Sequence, residues 1–166
     1  MSFFYFCTMA SNLKNLGDHT GKNMVSLKGK KIGIVVSEWN DQITDSLLAA
    51  THQVLVQHNA KSKNIIVKYV PGSFELPLGA QLLASEKNID GVICLGCVIQ
   101  GETSHFEFIC NAVANGITNV GLKFNKPVIF GVLTTNNLQQ ALDRAGGKHG
   151  NKGEEAANTL IKMLGF

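Results

Sequence analysis

Arginine is nearly absent from this chain: its 166 residues include 15 Lys and Arg side chains, of which Arg144 is the only arginine. Charged residues are also sparse, at 16% of the sequence, and the formal net charge is +3. Because this excess is small and the lysines are scattered, the composition does not indicate a nucleic-acid-binding surface. The lone arginine is either a chance survivor of a lysine-rich composition or a planar, two-pronged donor for an anion. Composition alone leaves both explanations open.

Long hydrophobic runs are missing as well, so no segment is predicted to cross a membrane as a helix. The apolar tip at residues 2–8 is short and lacks a basic leading region, which makes it a poor signal peptide. It is either an extension from an upstream start codon or a loosely held arm. The remaining composition, with 45% hydrophobic residues in the chain, is that of one globular domain. We predict a flexible N-terminal arm at residues 1–29 and an α/β domain at residues 30–166.

Cysteine is rare, with four residues in the chain, and two of them form a C-x-x-C motif, Cys94 to Cys97. Such a motif is typical of redox and zinc sites, but this one lies within residues 91–99, an apolar segment predicted as a buried strand. Residues three apart on a strand point to opposite faces, and no second pair of cysteines or histidines completes a zinc set. We interpret the cysteines as small core residues of a protein in a reducing compartment, the cytoplasm, without a bound metal.

Common phosphate-binding and phosphorelay motifs are absent too. No G-x-G-x-x-G follows the first predicted strand, and residues 17–22 are one residue too short for a Walker loop and follow no strand. The ends of the first and third strands, at Val36 and Ile99, lack the acidic residues of a phosphorylated receiver domain. The sequence therefore argues against these nucleotide-binding and signalling classes.

What the sequence does contain is a regular alternation of short β-branched runs, which predict strands, and amphipathic segments, which predict helices. Strands are expected at residues 31–36, 64–70, 91–99 and 128–133, and helices from Asn40 or Asp41, at 74–85, at 104–121, from Asn136 to Gly146–Gly147, and at 151–164. Ser104 and Glu107 fit a capping box at the start of the third helix. This alternation predicts a parallel sheet with helices on both faces. In such sheets the binding site lies beyond the carboxyl ends of the strands.

The loops after the first two strands carry aromatic and acidic groups. Trp39, the only tryptophan, is either a core residue or a flat ring that stacks on a planar heterocycle. Phe74 and Glu75 follow the second strand. Glu75 either favours the dipole of the helix that begins there or accepts a hydrogen bond from a polar ligand.

The loop from Gly101 to His105 follows the third strand and predicts an anion site. Backbone amides at a helix start, with Gly101 allowing close approach and the Thr103 hydroxyl beside them, suit an anion. His105 is either a solvated surface residue or a neutral base, since a helix N-terminus disfavours imidazolium. Arg144 is a second candidate anion ligand. Its own helix cannot carry it to this loop, so a contact between subunits is one way to bring the two together.

Four blocks of the sequence, in order between about residue 30 and residue 160, closely resemble the lumazine synthase family. They are residues 37–40 (SEWN), 70–77 (VPGSFELP), 96–107 (GCVIQGETSHFE), and 130–135 (FGVLTT) with 144–153 (RAGGKHGNKG). One such block is a weak match, whereas four in order with these spacings are specific. We therefore expect a three-layer α/β sandwich with a four-stranded parallel sheet in the flavodoxin-like order and helices on both faces.

The resemblance implies a role for each residue of the site. His105 would be the catalytic residue, transferring protons. Trp39 would stack on the pyrimidinedione ring, and the neighbouring subunit would contribute Arg144 to the phosphate and Phe130 to the aromatic sandwich. The implied substrate-binding residues are Trp39, Ser73, Phe74, Glu75, Val98, Ile99, Gly101, Glu102, Thr103, Phe130, Arg144 and Lys152. Ser73 to Glu75 would bind the ribityl chain and ring edge, Gly101 and Thr103 the phosphate, and Lys152 would line the same site.

The implied activity is a transferase step of riboflavin biosynthesis. It condenses 5-amino-6-(D-ribitylamino)uracil with 3,4-dihydroxy-2-butanone 4-phosphate to 6,7-dimethyl-8-ribityllumazine, phosphate and water. The substrates supply the imine and enol chemistry, so the resemblance implies neither a metal nor an organic cofactor. It implies a homo-oligomer with sites between neighbours, a pentamer that can pack into a sixty-subunit icosahedral shell, and riboflavin synthase as a partner. Neither nucleic acid nor a membrane is expected as a partner.

Two positions depart from the family pattern, and two other functions would fit the same scaffold. Gln100 stands where the family usually has arginine, and Ser73 replaces a common alanine. The alternatives are a non-catalytic flavin or lumazine binder and a shell protein whose assembly is its function. Because Thr103, His105 and Arg144 are all present, the enzyme is favoured over the binder.

Overall fold

Four apolar, β-branched segments pair as a parallel sheet in the computed structural model, which describes residues 24–166. The strands are β1 (Ile32–Ser37), β2 (Ile65–Val70), β3 (Gly91–Ile99) and β4 (Val128–Thr135). They lie in the order β2-β1-β3-β4, and every neighbouring pair is parallel. The predicted α/β fold with its four-stranded parallel sheet is therefore confirmed. The last strand runs two residues further than the predicted end at Leu133, because β4 stays paired with β3 to its end at Ile99.

Within residues 24–166, five α-helices cover the two faces of this sheet. They are α1 (Asp41–Gln57), α2 (Leu76–Ser85), α3 (His105–Phe124), α4 (Leu138–Asp143) and α5 (Lys152–Met163). Alternate strand residues point to opposite faces, so Ile34 and Val36 pack with α1 and α5, whereas Val35 packs with α2 and α3. The α1–α5 contact is close at Gly153, whose carbonyl accepts a hydrogen bond from the Thr51 hydroxyl at 3.0 Å. A side chain at Gly153 would meet the backbone of Leu47.

The helix predicted from Asn136 to Gly146–Gly147 is wrong beyond Asp143. Helix α4 ends at Asp143 and is followed by a small antiparallel hairpin of β5 (Ala145–Gly147) and β6 (Gly150–Asn151). Glycine reaches positive φ without steric cost, and Gly146 and Gly150 take φ values of 105° and 77°. The hairpin is docked on α1, where the Ser46 hydroxyl donates to the Ala145 carbonyl at 2.6 Å.

Two other helix boundaries differ from the predicted ones. The helix expected at residues 74–85 is divided into a single 3₁₀ turn, Ser73–Glu75, followed by α2. The helix expected to end near Gly121 continues to Phe124, because Asn125 takes a left-handed conformation with φ 49° and ends it there. Both differences lie at element ends, where local signals are weakest.

The residues that precede β1 already belong to the core. Leu27 is fully buried in the cluster between α1, α5 and the sheet, and its N–H donates to the His58 carbonyl at 2.8 Å. The predicted arm at residues 1–29 lies mostly outside the described residues, as does Cys7. Within residues 24–166, no helix is long and apolar enough to cross a membrane.

The two cysteines of the C-x-x-C motif lie on opposite faces of the sheet, as predicted. Cys94 packs with α2 and α3, and Cys97 packs with α1 and α5. Burial raises the pKa of Cys94 to about 12 and that of Cys97 to about 11. The thiolate is the form that ligates metals and attacks disulfides. Because both thiols stay protonated near neutral pH, neither cysteine is suited to metal binding or disulfide exchange.

We expect Cys94 and Cys97 to resist alkylation in the folded protein, because the buried thiols stay protonated and out of reach. Iodoacetamide at about pH 8, followed by peptide mass spectrometry, reports each cysteine separately. The half-buried Cys110 serves as an internal comparison, and the same reaction in denaturant should modify all of them. Rapid modification of Cys94 in the folded chain would contradict its burial.

Candidate active site

The turn after β1 is tied to the loop after β2 and presents Trp39 to solvent. The Glu38 N–H donates to the Val70 carbonyl at 2.8 Å, and the Trp39 N–H donates to the Pro71 carbonyl at 3.2 Å. The Trp39 side chain is 74% exposed, which rules out the core alternative in the isolated chain. Leaving such a ring in water forgoes on the order of 2 kcal/mol of burial, so a ligand or partner that covers it would gain that free energy.

Asn40 occupies the cap position of α1 but does not act as an ordinary cap. Its backbone is left-handed, and its side chain makes no capping hydrogen bond to the helix. The Nδ2 atom donates instead to the Cys97 carbonyl of β3, at 2.9 Å. The prediction of Asn40 or Asp41 as cap therefore locates the helix start, and the side chain serves a different purpose.

The loop after β2 is closed by Glu75. The Glu75 Oε2 atom accepts the Gly72 N–H at 3.0 Å, and the Glu75 N–H donates back to the Gly72 carbonyl at 3.2 Å. Phe74, between them, is 56% exposed. Ser73 is buried against Gly96, and its hydroxyl has no hydrogen-bond partner among the described residues. The second strand thus brings an exposed ring, a fixed carboxylate and a buried hydroxyl to the same edge of the sheet.

The loop after β3 leaves backbone amides open, as an anion site requires. In the described part of the chain, the N–H groups of Gly101, Glu102 and Thr103 meet no protein acceptor. A Cβ atom built on Gly101 would meet nothing within 4 Å. The 20-residue helix α3 begins directly after this loop, so its partial positive end faces the same space.

The capping box predicted for Ser104 and Glu107 is wrong. Ser104 precedes α3, but its φ and ψ of −66° and −1° are already near helical and its side chain makes no cap bond. An N-cap side chain reaches the helix amides from an extended backbone, which Ser104 does not adopt. His105, the first helical residue, is exposed, and its N–H donates weakly to the Thr103 hydroxyl at 3.4 Å.

Val98 and Ile99 end β3 on opposite faces of the sheet. Val98 packs on the side of α2 and α3, together with Ser73 and Gly96, whereas Ile99 packs on the side of α1 and α5. Only the Val98 side chain therefore shares a face with the groups after β2. Ile99 can take part in the same site through its backbone.

The loops at this edge carry acidic groups and no cation. Residues 37–40, 71–75, 100–104 and 136–137 include Glu38, Glu75 and Glu102 but neither lysine nor arginine. Open amides and a helix end supply only partial charges. A doubly charged phosphate bound there would need a full positive charge from another part of the protein.

Arg144 lies on the side of the sheet covered by α1 and α5, where its neighbours Leu142 and Ala145 pack. Its backbone is held in place, whereas its side chain has no partner among the described residues. Arg144 follows α4, and its carbonyl accepts the Lys152 N–H at 2.9 Å. No hydrogen bond or ion pair to its guanidinium is found among residues 24–166. The adjacent Asp143 is paired elsewhere, since hydrogen bonds from Gln139 and Lys148, both at 3.0 Å, lower the pKa of Asp143.

Two further predicted site residues also lie apart from the edge. Phe130 is opposite Cys94, whereas Val98 is opposite Thr134, which separates Phe130 from Val98 by roughly 13 Å along the strands. Lys152, at the start of α5, is held by Glu155 at 2.9 Å. One chain thus gathers the groups after β1, β2 and β3, and leaves Phe130, Arg144 and Lys152 outside that group.

Comparisons with known proteins show the family to which this chain belongs. Residues 29–166 match the family described as 6,7-dimethyl-8-ribityllumazine synthase. The chain is 62% identical to 6,7-dimethyl-8-ribityllumazine synthase of Cytophaga hutchinsonii over 156 residues, which cover 94% of this chain and 98% of that one. It is 49% identical to the enzyme of the same name from Parabacteroides distasonis, over 95% of this chain and 99% of that one. The chain belongs to the 6,7-dimethyl-8-ribityllumazine synthase family.

Membership of the lumazine synthase family confirms the predicted activity, a transferase step of riboflavin biosynthesis. It decides against the non-catalytic binder as the primary function. It does not by itself assign individual residues, so the roles given to Trp39, His105 and Arg144 stay predictions.

Sequence reasoning predicted Asn40 as a possible helix cap but missed the hydrogen bond that its side chain makes to β3 at the edge of the sheet. The left-handed backbone and the bond to Cys97 depend on where β1 and β3 end relative to each other. The available signal was the residue type, since asparagine is enriched among non-glycine residues with positive φ.

Proposed function

We propose that this chain condenses 5-amino-6-(D-ribitylamino)uracil with 3,4-dihydroxy-2-butanone 4-phosphate at a site completed by a neighbouring subunit. The observation that carries the proposal is a division of charge. The edge that collects the aromatic, amide and hydroxyl groups has no cation in its loops, while the only arginine lies in the opposite layer without a partner among the described residues.

The pyrimidine is proposed to lie on the exposed ring of Trp39. A planar heterocycle gains from stacking on an aromatic face, and the ring is free to be covered. Phe74 and the buried Ser73 lie on the adjoining loop, and Glu75, fixed by Gly72, offers its second carboxylate oxygen to the ribityl hydroxyls. Val98 and the backbone of Ile99 would line the floor.

The phosphate of the second substrate is proposed to bind the open amides of Gly101, Glu102 and Thr103 and the Thr103 hydroxyl. A helix N-terminus stabilises an anion through these amides and its dipole. Arg144 of the neighbouring subunit would supply the full charge in a two-pronged contact. The neighbour's Phe130 and Lys152 would complete the same interface.

His105 is proposed to move the protons. The amino group of the pyrimidine attacks the ketone and forms an imine with loss of water, phosphate then leaves, and ring closure releases a second water. Holding both substrates in contact supplies most of the acceleration, and a positioned acid–base group adds to it. No step of this sequence requires electrons from outside or a metal.

The assembly is proposed to be a pentamer that can pack into an icosahedral shell, in the cytoplasm and with riboflavin synthase as a partner. A partner surface is available on each chain. Exposed apolar side chains on β2, α2 and α3 are Tyr69, Leu78, Leu82, Phe108 and Leu122. A heterologous ring would place one subunit's Arg144 beside the next subunit's Gly101 loop.

With both substrates, the purified chain is expected to release phosphate as lumazine absorbance rises, and His105→Ala is expected to slow turnover about 100-fold. Acid–base groups contribute about 100- to 10,000-fold, and we expect the low end because water and the substrate amine can also carry protons. His105 is exposed, so folding should be unchanged, and the pH–rate profile should lose the limb that an acid–base residue contributes. His52→Ala, a change on α1, is the control. Full activity of the His105 variant at every pH would show that His105 does not transfer protons in the reaction.

Arg144→Lys is expected to lower kcat/KM for the phosphate substrate although the charge is kept. Lysine loses the two-pronged contact, and a hydrogen bond to a charged group is worth about 1.5–3 kcal/mol, roughly tenfold to a hundredfold in kcat/KM. Steady-state kinetics at varied phosphate substrate measures the effect. Lys63→Ala, an exposed change before β2, should leave the constant unaltered. An unchanged kcat/KM in the Arg144 variant would remove it from the site.

Two variants that are each inactive are expected to recover activity when they are assembled into the same oligomer. Arg144→Ala removes the cation, and Thr103→Glu places a carboxylate in the phosphate site. If these residues come from neighbouring subunits, random assembly of equal amounts yields about one quarter intact sites at heterologous interfaces. Activity after co-expression is compared with a mixture of the separately assembled variants. No recovery in verified mixed oligomers would show that both residues serve one chain's own site. A monomer by light scattering would overturn the composite site itself.

A further inference from the structure

Strand β3 extends past its neighbour β1 at the active-site edge. The two strands pair only as far as Val36 with Leu95, whereas β3 continues beside β4 to Ile99. Beyond Leu95, the side of β3 that faced β1 has no strand partner. The Asn40 side chain fills this place, donating from Nδ2 to the Cys97 carbonyl at 2.9 Å in a partly buried setting.

The backbone of Asn40 is adapted to this contact. Its φ of 64° and ψ of 46° are left-handed, a conformation that asparagine adopts more readily than most residues. The other described non-glycine residues with positive φ are Asn59 and Asn125, which follow the ends of α1 and α3. Left-handed residues are ordinary there. At a helix start an extended backbone is usual, so Asn40 is the exception.

The contact fixes the peptide that carries Trp39. The Trp39 N–H is bonded to Pro71 on one side, and the Asn40 side chain ties the next residue to β3 on the other. The Asn40 carbonyl then accepts the N–H groups of Ile43 and Thr44 and starts α1. Since the indole is 74% exposed within one chain, packing inside that chain does not set its direction, and the backbone of this turn is what the chain itself holds in place.

We infer that Asn40 is a positioning residue. The hydrogen bond that its side-chain amide donates to the Cys97 carbonyl holds the left-handed turn, and this turn directs Trp39 across the carboxyl edge of the sheet. The consequence for catalysis rests on the proposed role of Trp39 in stacking on the pyrimidine. The ordering of Trp39 by Asn40 does not rest on that role and can be measured without substrate.

The chain contains one tryptophan, so its fluorescence reports this turn alone. Asn40→Gly keeps a residue that accepts positive φ but removes the amide, and Asn40→Asp keeps the shape but removes the donor. Both variants are expected to lower the steady-state anisotropy of Trp39 and to increase its quenching by acrylamide. Both should raise KM for the ribitylaminopyrimidine severalfold with a smaller change in kcat.

The matched control is Asn59→Asp. Asn59 also has a left-handed backbone, with φ 71°, and its amide donates to Ser26 at 3.4 Å, away from the edge. This variant should leave the fluorescence and KM unchanged, and light scattering with thermal unfolding checks that all variants assemble.

The outcomes separate the two claims. Wild-type anisotropy and quenching in a folded, assembled Asn40→Gly variant would overturn the inference. Altered fluorescence with an unchanged KM would support Asn40 as the residue that orders Trp39, and would contradict the proposed stacking of Trp39 on the pyrimidine. Altered fluorescence together with a raised KM supports both.

Discussion

Parallel pairing along β3 is the constraint from which the rest of the molecule follows. Because β3 lies between β1 and β4 and all strands run in one direction, every loop that leaves a carboxyl end arrives at the same edge. The strand is buried on both faces, which is why its cysteines behave as apolar residues. Its length also exceeds that of β1, and the overhang creates the unpaired carbonyl to which Asn40 binds.

The same topology keeps Arg144 away from the loops at the carboxyl edge of its own sheet. Helices α2 and α3 cover one face and α1 and α5 the other, so a residue that follows α4 is separated from the start of α3 by the sheet itself. Arg144 is anchored through the hairpin to α1 and α5, and its guanidinium faces no acidic partner among the described residues. Under the proposed function, the acidic edge and Arg144 would meet across a subunit interface, where electrostatic attraction would also favour the correct orientation.

The edge of the sheet combines groups that are fixed by hydrogen bonds with backbone amides that are left open. Rigid groups come from strand ends and their hydrogen-bonded turns, as with Glu75 held by Gly72 and Trp39 held between Pro71 and Asn40. The open amides after β3 belong to exposed residues, Gly101 to Thr103, and are available to an anion. Such preorganisation suits the proposed reaction, in which the substrates supply the chemistry and the protein would contribute mainly proximity and proton movement.

The sequence by itself determined the strand and helix alternation, the parallel sheet, the opposed cysteines and the family, because these depend on local periodicity and on blocks of adjacent residues. It predicted most of the edge residues for the same reason: strand ends can be placed from a pattern. It failed at Ser104, whose side chain does not cap α3, and at Ala145 and Gly146, where the first strand of a hairpin replaces helix. The hairpin, docked on Ser46, and the bond from Asn40 to Cys97 are decided by contacts between residues far apart in the chain. Only the tertiary structure sets the lengths of neighbouring strands and the layer to which each loop returns.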